Sequence, residues 1–199
     1  MKYLNSIMVL MLCFWASHSA NAAVLTFDDL TPVELGTIFD GYGGFNWDQF
    51  GYLNGAQHAP GSGYDNGTVS GDYVAFNEFA NVATIDDGLF DFTSAYLTAA
   101  WNDGLNITVE GWNSGSLLYS TTVVVDTTGP TLFTFDYLGI DSLVFNSFGG
   151  VNVGLGGSGA HFAMDDFTFN ESQVPEPGVL ALLAMGLVGF GFSRKMKAA

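Results

Sequence analysis

Between residues 23 and 173 the apolar side chains fall in short runs rich in Val, Thr, Phe and Tyr, separated by clusters of Gly, Asn, Asp and Pro. No long stretch holds a 3.6-residue apolar period, so the pattern predicts strands throughout. Asn106-Ile107-Thr108-Val109-Glu110 alternates, with Ile107 and Val109 inward, and turn material follows at Asn113-Ser114-Gly115. Leu117 to Val125 then runs to a turn at Thr128-Gly129-Pro130, and Thr131 to Phe135 and Ser142 to Phe145 continue the pattern. Turns about every 8 to 12 residues are the spacing of a β-sandwich. Gly149 to Gly159 reads as a long loop, and Asp86-Asp87-Gly88 and Asn102-Asp103-Gly104 read as turns, because Asx and Gly tolerate positive φ.

The last predicted strand is irregular. In Phe162-Ala163-Met164-Asp165-Asp166-Phe167-Thr168-Phe169 the large apolar residues are even-numbered before the aspartates and odd-numbered after them. A period-2 strand switches face in this way only by gaining a residue, which predicts a β-bulge at Asp165-Asp166. Leu25-Thr26-Phe27-Asp28-Asp29 near the other end carries a similar signature. If first and last strands lie together, the two acidic pairs come near each other.

The chain ends break the strand pattern. Lys2, an apolar stretch from Ile7 to Ala16 and the small-residue site Ala20-Asn21-Ala22 read as a secretory signal peptide over residues 1–22. Cys13, the sole cysteine, lies inside it, so the mature chain forms no disulfide and depends on core packing. At the other end Val174-Pro175-Glu176-Pro177 precedes fifteen uncharged residues, Gly178 to Phe192, and then Ser193-Arg194-Lys195-Met196-Lys197. Fifteen helical residues reach roughly 22 Å against a hydrocarbon core of about 30 Å, a short span. Arg194, Lys195 and Lys197 mark its basic end as cytoplasmic, which puts residues 23–173 outside the cytoplasm.

The order Pro-Glu-Pro, short apolar span and basic end resembles the PEP-CTERM sorting signal of Gram-negative bacteria, covering residues 174–199 with a transmembrane helix at about 178–193. The resemblance implies a passage through the inner membrane, recognition by an exosortase, cleavage near Pro175-Glu176-Pro177, and transfer to the cell surface or extracellular matrix.

Charge narrows what the intervening 151 residues bind. All four basic residues of the chain lie in the two targeting segments, whereas nineteen of its twenty carboxylates lie between Asp28 and Glu171. With no Lys or Arg the domain cannot neutralise a nucleic acid backbone, and anionic lipid is repelled. Neutral glycans, cationic groups and divalent metals stay compatible, and the same acidity keeps an exported protein soluble. Catalysis finds few parts. The body has no thiol, only His58 and His161, and no nucleophile elbow, although Gly61-Ser62-Gly63 superficially looks like one. Glu34, Glu78 and Glu110 leave a two-carboxylate glycosidase open.

Phe27-Asp28-Asp29, Gly41-Tyr42-Gly43-Gly44-Phe45-Asn46-Trp47 and Phe162 to Phe169 together resemble jelly-roll domains found in PEP-CTERM proteins, which are similar to galactose-binding-like sandwiches. The expected fold is therefore all-β, a single jelly-roll sandwich followed by the short C-terminal helix. The resemblance implies a structural calcium joining the chain ends, with Asp28, Asp29, Asp165 and Asp166 as oxygen ligands helped by carbonyls or water. No other cofactor is required. For a sugar's C–H face the candidate platforms are Tyr42, Trp47 and Trp112, with Tyr52 and Trp101 also available. The functional expectation is an exosortase-sorted module that binds or structures exopolysaccharide without catalysis. Its rivals are a polysaccharide hydrolase and a purely structural matrix protein.

Overall fold

A computed structural model describes residues 22–171. Ala20, the sorting residues Pro175, Glu176 and Pro177, the apolar segment after them and the basic residues Arg194, Lys195 and Lys197 lie outside the described residues.

Ten strands make up the body: β1 (Ala23–Leu25), β2 (Leu35–Thr37), β3 (Asn46–Asp48), β4 (Phe50–Asn54), β5 (Tyr73–Asn77), β6 (Ala83–Ala99), β7 (Asn102–Asn113), β8 (Ser116–Val125), β9 (Thr131–Asn152) and β10 (Phe162–Glu171). Hydrogen bonds link them in the order β2-β4-β5-β10-β6-β9-β7-β8, with β1 on β10 and β3 on β6. Every pairing is antiparallel. β7 shows why these residues make strands: Leu105, Ile107 and Val109 are fully buried while Asn106, Thr108 and Glu110 between them are half-exposed. Its hairpin to β8 turns through Ser114 (φ 49°) and Gly115 (φ 75°), the two positive-φ positions of a type I′ turn.

This sheet folds over on itself. Phe50 of β4 and Phe145 of β9 are four places apart in the strand order, which in a flat sheet separates them by roughly 19 Å. Their ring centroids are 5.8 Å apart and meet edge to face, so the two strands face each other across a core. That core is aromatic: Phe27, Phe50, Phe90, Phe92, Phe145, Phe162 and Phe167 are all fully buried. The all-β sandwich read from the sequence is the fold of the body.

The turns expected every 8 to 12 residues are replaced by two long strands, β6 of 17 and β9 of 22 residues. Asp87 (φ 124°) and Gly88 (φ 70°) sit inside β6, where the register shifts between Asp86 and Phe90. Likewise Asn102-Asp103-Gly104 opens β7, and β9 continues through Gly149 and Gly150 to Asn152. The positive-φ pair in β6 makes a bulge that bends the strand without reversing it, whereas β7 and β9 stay in register through Gly104, Gly149 and Gly150. The predicted bulge in β10 is present. Pairing with β6 jumps from Asp165↔Tyr96 to Thr168↔Ser94, and Asp166 has φ 48°. Phe162 and Met164 before it and Phe167 and Phe169 after it all reach the core. β1 pairs with the far half of β10, from Ala23↔Phe169 to Leu25↔Phe167.

Candidate functional site

Beside β2, β4 and β5 lies a cleft of about 500 Å³, within the usual range for small-ligand sites. Leu53, Tyr64 and Phe76 are its buried residues. Trp101, just past the end of β6, forms a half-buried wall, and Leu35, Gly36 and Thr37 of the edge strand β2 are on the other side of the lining. His58, Glu78 and His161 bring polar atoms, and Phe79 is 80% exposed.

Two one-turn helices, Gly55–His58 and Gly63–Asn66, place Tyr64. Asn54 caps the first, its side-chain oxygen accepting from the Gln57 N–H at 3.0 Å. Ser62 caps the second, accepting from the Tyr64 N–H at 3.2 Å and donating to the Ala59 carbonyl at 2.6 Å. The Gly61-Ser62-Gly63 sequence is therefore a buried cap, and its hydroxyl is engaged on both sides. Gly63 lies so close to β6 that a Cβ there would fall 1.7 Å from the Ala99 carbonyl oxygen. Its N–H donates to the Ala100 carbonyl at 3.0 Å. This contact sets Tyr64 edge-on to Trp101, with centroids 5.4 Å apart and planes at 88°. Gly157 supports the indole from another side, since a Cβ there would fall 2.3 Å from Trp101 Cε2.

Tyr64 as a residue is only 3% exposed, yet its hydroxyl keeps access to solvent and takes no hydrogen bond from the described residues. Burial alone pushes its ionisation above the ordinary tyrosine range.

Asn77, at the end of β5 and fully buried, organises the other side. Its side-chain nitrogen reaches Ser147 Oγ (3.0 Å) and the Asn81 (3.2 Å) and Ala160 (3.4 Å) carbonyls, and its side-chain oxygen accepts from the Phe162 N–H at 2.9 Å. His161 Nδ1 donates to the Asn77 carbonyl at 3.0 Å, because a carbonyl can only accept. Burial holds the His161 imidazole below its ordinary value, so at neutral pH it is uncharged and Nε2 is an acceptor. After Asn77 the chain makes a tight 3-10 turn, Glu78–Ala80, in which Phe79 and Ala80 both have φ 54°. A bulky side chain at positive φ is a rare conformation that structure elsewhere must enforce. Glu78 accepts from the Thr37 hydroxyl at 3.0 Å, and Glu34 accepts from His58 Nδ1 at 3.1 Å.

The aspartates expected to hold calcium bind the chain itself. Asp28 accepts from the Asp72 and Tyr73 N–H groups at 2.8 and 3.2 Å. Asp165, 1% exposed, accepts from the Val69, Ser70 and Asp166 N–H groups at 2.7, 3.0 and 2.7 Å and from the Ser70 hydroxyl at 3.2 Å. Asp166 shares that hydroxyl at 2.8 Å. Residues 69–73 are thus clasped from both sides, by Asp28 and by the β10 bulge. Asp29 is turned to another task and accepts from the Tyr42 hydroxyl at 2.8 Å. Among the described residues no three or more His, Cys, Asp or Glu side chains converge as a metal-holding group.

The expected sugar platforms fall in different places. Trp47 is only 6% exposed and packs edge-on against Phe27, Phe45, Phe50 and Phe167, with its Nε1 donating to the Tyr42 carbonyl at 2.9 Å. Tyr42 is half-buried against Phe27 and Trp47, and its hydroxyl also accepts from the Phe27 N–H at 3.2 Å, so it braces the start of the chain. Tyr52 is buried and donates to the Thr31 carbonyl. Trp112, half-buried on β7, donates to Glu110 at 3.3 Å and does not line the cleft. Trp101 is the one of the five rings that does. Sequence reasoning missed Tyr64, Phe76 and Phe79. The available signal was the pair of capping residues Asn54 and Ser62, each opening a helix too short to show periodicity.

The body is similar in fold to several carbohydrate-binding modules. A family 61 module in complex with β-1,4-galactotriose shares 10% identity at a TM-score of 0.33, covering 63% of this chain and 86% of the module. A family 51 module from Clostridium perfringens GH95, in complex with methyl-galactose, shares 12% at 0.36, covering 74% and 99%. A family 4 module shares 15% at 0.29, covering 78% and 89%. A search of curated proteins finds no match. Residues 173–195 match the model of the PEP-CTERM protein-sorting motif, and the chain is accordingly an exported protein, anchored at its C-terminus before sorting by exosortase.

Proposed function

We propose that the body is a non-catalytic module that binds a polysaccharide outside the cell through the Tyr64–Trp101 cleft. The Tyr64 hydroxyl carries this reading, because it has no protein partner among the described residues and is open to the cleft, where a ligand hydroxyl can take the place of water. Around it the cleft combines what a sugar needs. The Trp101 and Phe76 rings offer apolar faces for C–H groups, and Glu78 and His161 Nε2 offer acceptors for hydroxyls. The strained and exposed Phe79 fits the same role, since both features cost stability in the unliganded protein. Export supports the reading: exosortase delivers the body to the cell surface or matrix, where such polymers are found.

The rival hydrolase would use Glu78 with Glu34, and Glu110 is excluded from it by its place on β7 beside Trp112. The test is co-sedimentation of the full-length chain with a panel of insoluble polysaccharides, repeated with Trp101→Ala. Retention of one polysaccharide that Trp101→Ala abolishes supports the module. Release of soluble sugar that stops in Glu78→Gln makes the cleft an enzyme, and equal retention of wild type and variant removes the cleft from the account.

A further inference from the structure

The polar atoms of the cleft are unevenly divided between donors and acceptors. Glu78 is a carboxylate and accepts only. His161 spends its Nδ1–H on the Asn77 carbonyl and turns an acceptor, Nε2, to its surroundings. His58 spends its Nδ1–H on Glu34, which adds a second carboxylate beside the lining. Thr37 already gives its hydrogen to Glu78, and the Tyr64 hydroxyl, which can donate or accept, is the one free O–H of the lining among the described residues. Among the described residues no Lys, Arg, Asn or Gln lines the cleft. The surrounding body has no Lys or Arg at all, so the field over the opening is negative.

An acceptor-rich site is completed by a donor-rich ligand. A sugar hydroxyl gives one hydrogen, whereas a protonated amine gives three, accepts none, and carries the charge that the field favours. Its positive centre is also drawn to the π-face of an indole or phenyl ring. From this match of donors to acceptors we infer that the cleft selects amino sugars with a free, protonated amine over their N-acetylated and hydroxyl counterparts, an inference that rests on the glycan-binding reading above.

The full-length chain is titrated calorimetrically with an oligomer of β-1,4-linked glucosamine and with its N-acetylated equivalent, at a pH below the amine pKa and at low and high salt. The free-amine oligomer is expected to bind about tenfold more tightly, the scale of one partly exposed ion pair with a cation–π contact. This ratio falls toward one at high salt and in Glu78→Gln, and stays in Glu110→Gln, whose site lies on β7. Equal affinities for the two oligomers, or a preference that survives both Glu78→Gln and high salt, overturn the inference while leaving the module intact. If Trp101→Ala binds both oligomers as wild type does, the underlying cleft assignment fails instead, because attraction to the general acidic surface then explains the binding. If a variant does not fold, equal affinities of the wild-type protein for the two oligomers still overturn the inference.

Discussion

Phe79 separates a structural from a functional account most cleanly, because the two make opposite demands on it. The residue holds φ 54° in the Glu78–Ala80 turn and is 80% exposed. Replacing it by glycine relieves left-handed strain of roughly 1–2 kcal/mol. With one fifth of the ring buried, the lost burial is about 0.5 kcal/mol, and the freer unfolded chain costs roughly 0.4–1 kcal/mol. The balance for Phe79→Gly lies between about −0.5 and +1 kcal/mol of stability, a change in Tm of roughly −2 to +4 °C for a chain of this size. Affinity should fall by about three- to tenfold, the scale of one aromatic stacking contact. Urea unfolding and calorimetric titration with the polysaccharide retained in co-sedimentation read the two effects on the same preparation. A destabilisation beyond about 1 kcal/mol would show that the ring is packed and the strain argument wrong. Unchanged affinity would remove Phe79 from the site.

Three further outcomes follow from the same geometry. Burial pushes the Asp165 carboxyl up to about 6 from its ordinary 3.8, against the pull of the Ser70, Val69 and Asp166 N–H groups. The folded state therefore holds that proton more tightly than the unfolded chain does. The resulting stability, on the order of 3 kcal/mol at most, is fully present below about pH 3.8 and lost as pH rises through about 6. Urea midpoints across this window should show the loss in wild type and lack it in Asp165→Asn; equal slopes would refute the shift. Gly157→Ala puts a Cβ 2.3 Å from Trp101 Cε2, so the indole must swing, and affinity should fall several-fold while the unfolding midpoint moves by less than about 1 kcal/mol. Since Asp28, Asp165 and Asp166 already serve backbone N–H and hydroxyl donors, EDTA should leave the unfolding midpoint unchanged, and a drop would instead establish a metal among them.

The layout of the fold was legible in the sequence wherever one face of a strand is buried. Alternation at Ile107 and Val109 gave β7, and the phase slip at Asp165-Asp166 gave the β10 bulge, because burial of Phe167 and Phe169 leaves the strand no other register. Strand lengths were not legible. A Gly or Asp at positive φ serves a turn and a bulge equally, and only the pairing partner across the sheet decides between them, as at Asp87-Gly88. The site was mostly hidden for a related reason. Trp47 and Trp101 look alike as flanked aromatics, yet one is the buried middle residue of β3 and the other lies two residues past the end of β6, where the strand's inward face ends. Tyr64 owes its place to the contact between Gly63 and Ala99, which is long-range and leaves no local pattern. Acidic pairs carry no sequence signal of their role, because carboxylates that clasp backbone N–H groups have the same composition as carboxylates that bind a cation.

The central claim, that a glycan enters the Tyr64–Trp101 cleft, is tested most directly by following the tryptophan indole N–H resonances during titration with the polysaccharide's soluble oligomers. Trp47 Nε1–H is held by the Tyr42 carbonyl in the core and Trp112 Nε1–H by Glu110 on β7, so the three body indoles report on three separate places. The account predicts a saturable shift of the Trp101 resonance with Trp47 and Trp112 unmoved. A saturable shift at Trp112 with Trp101 silent would place the ligand on β7 and contradict it.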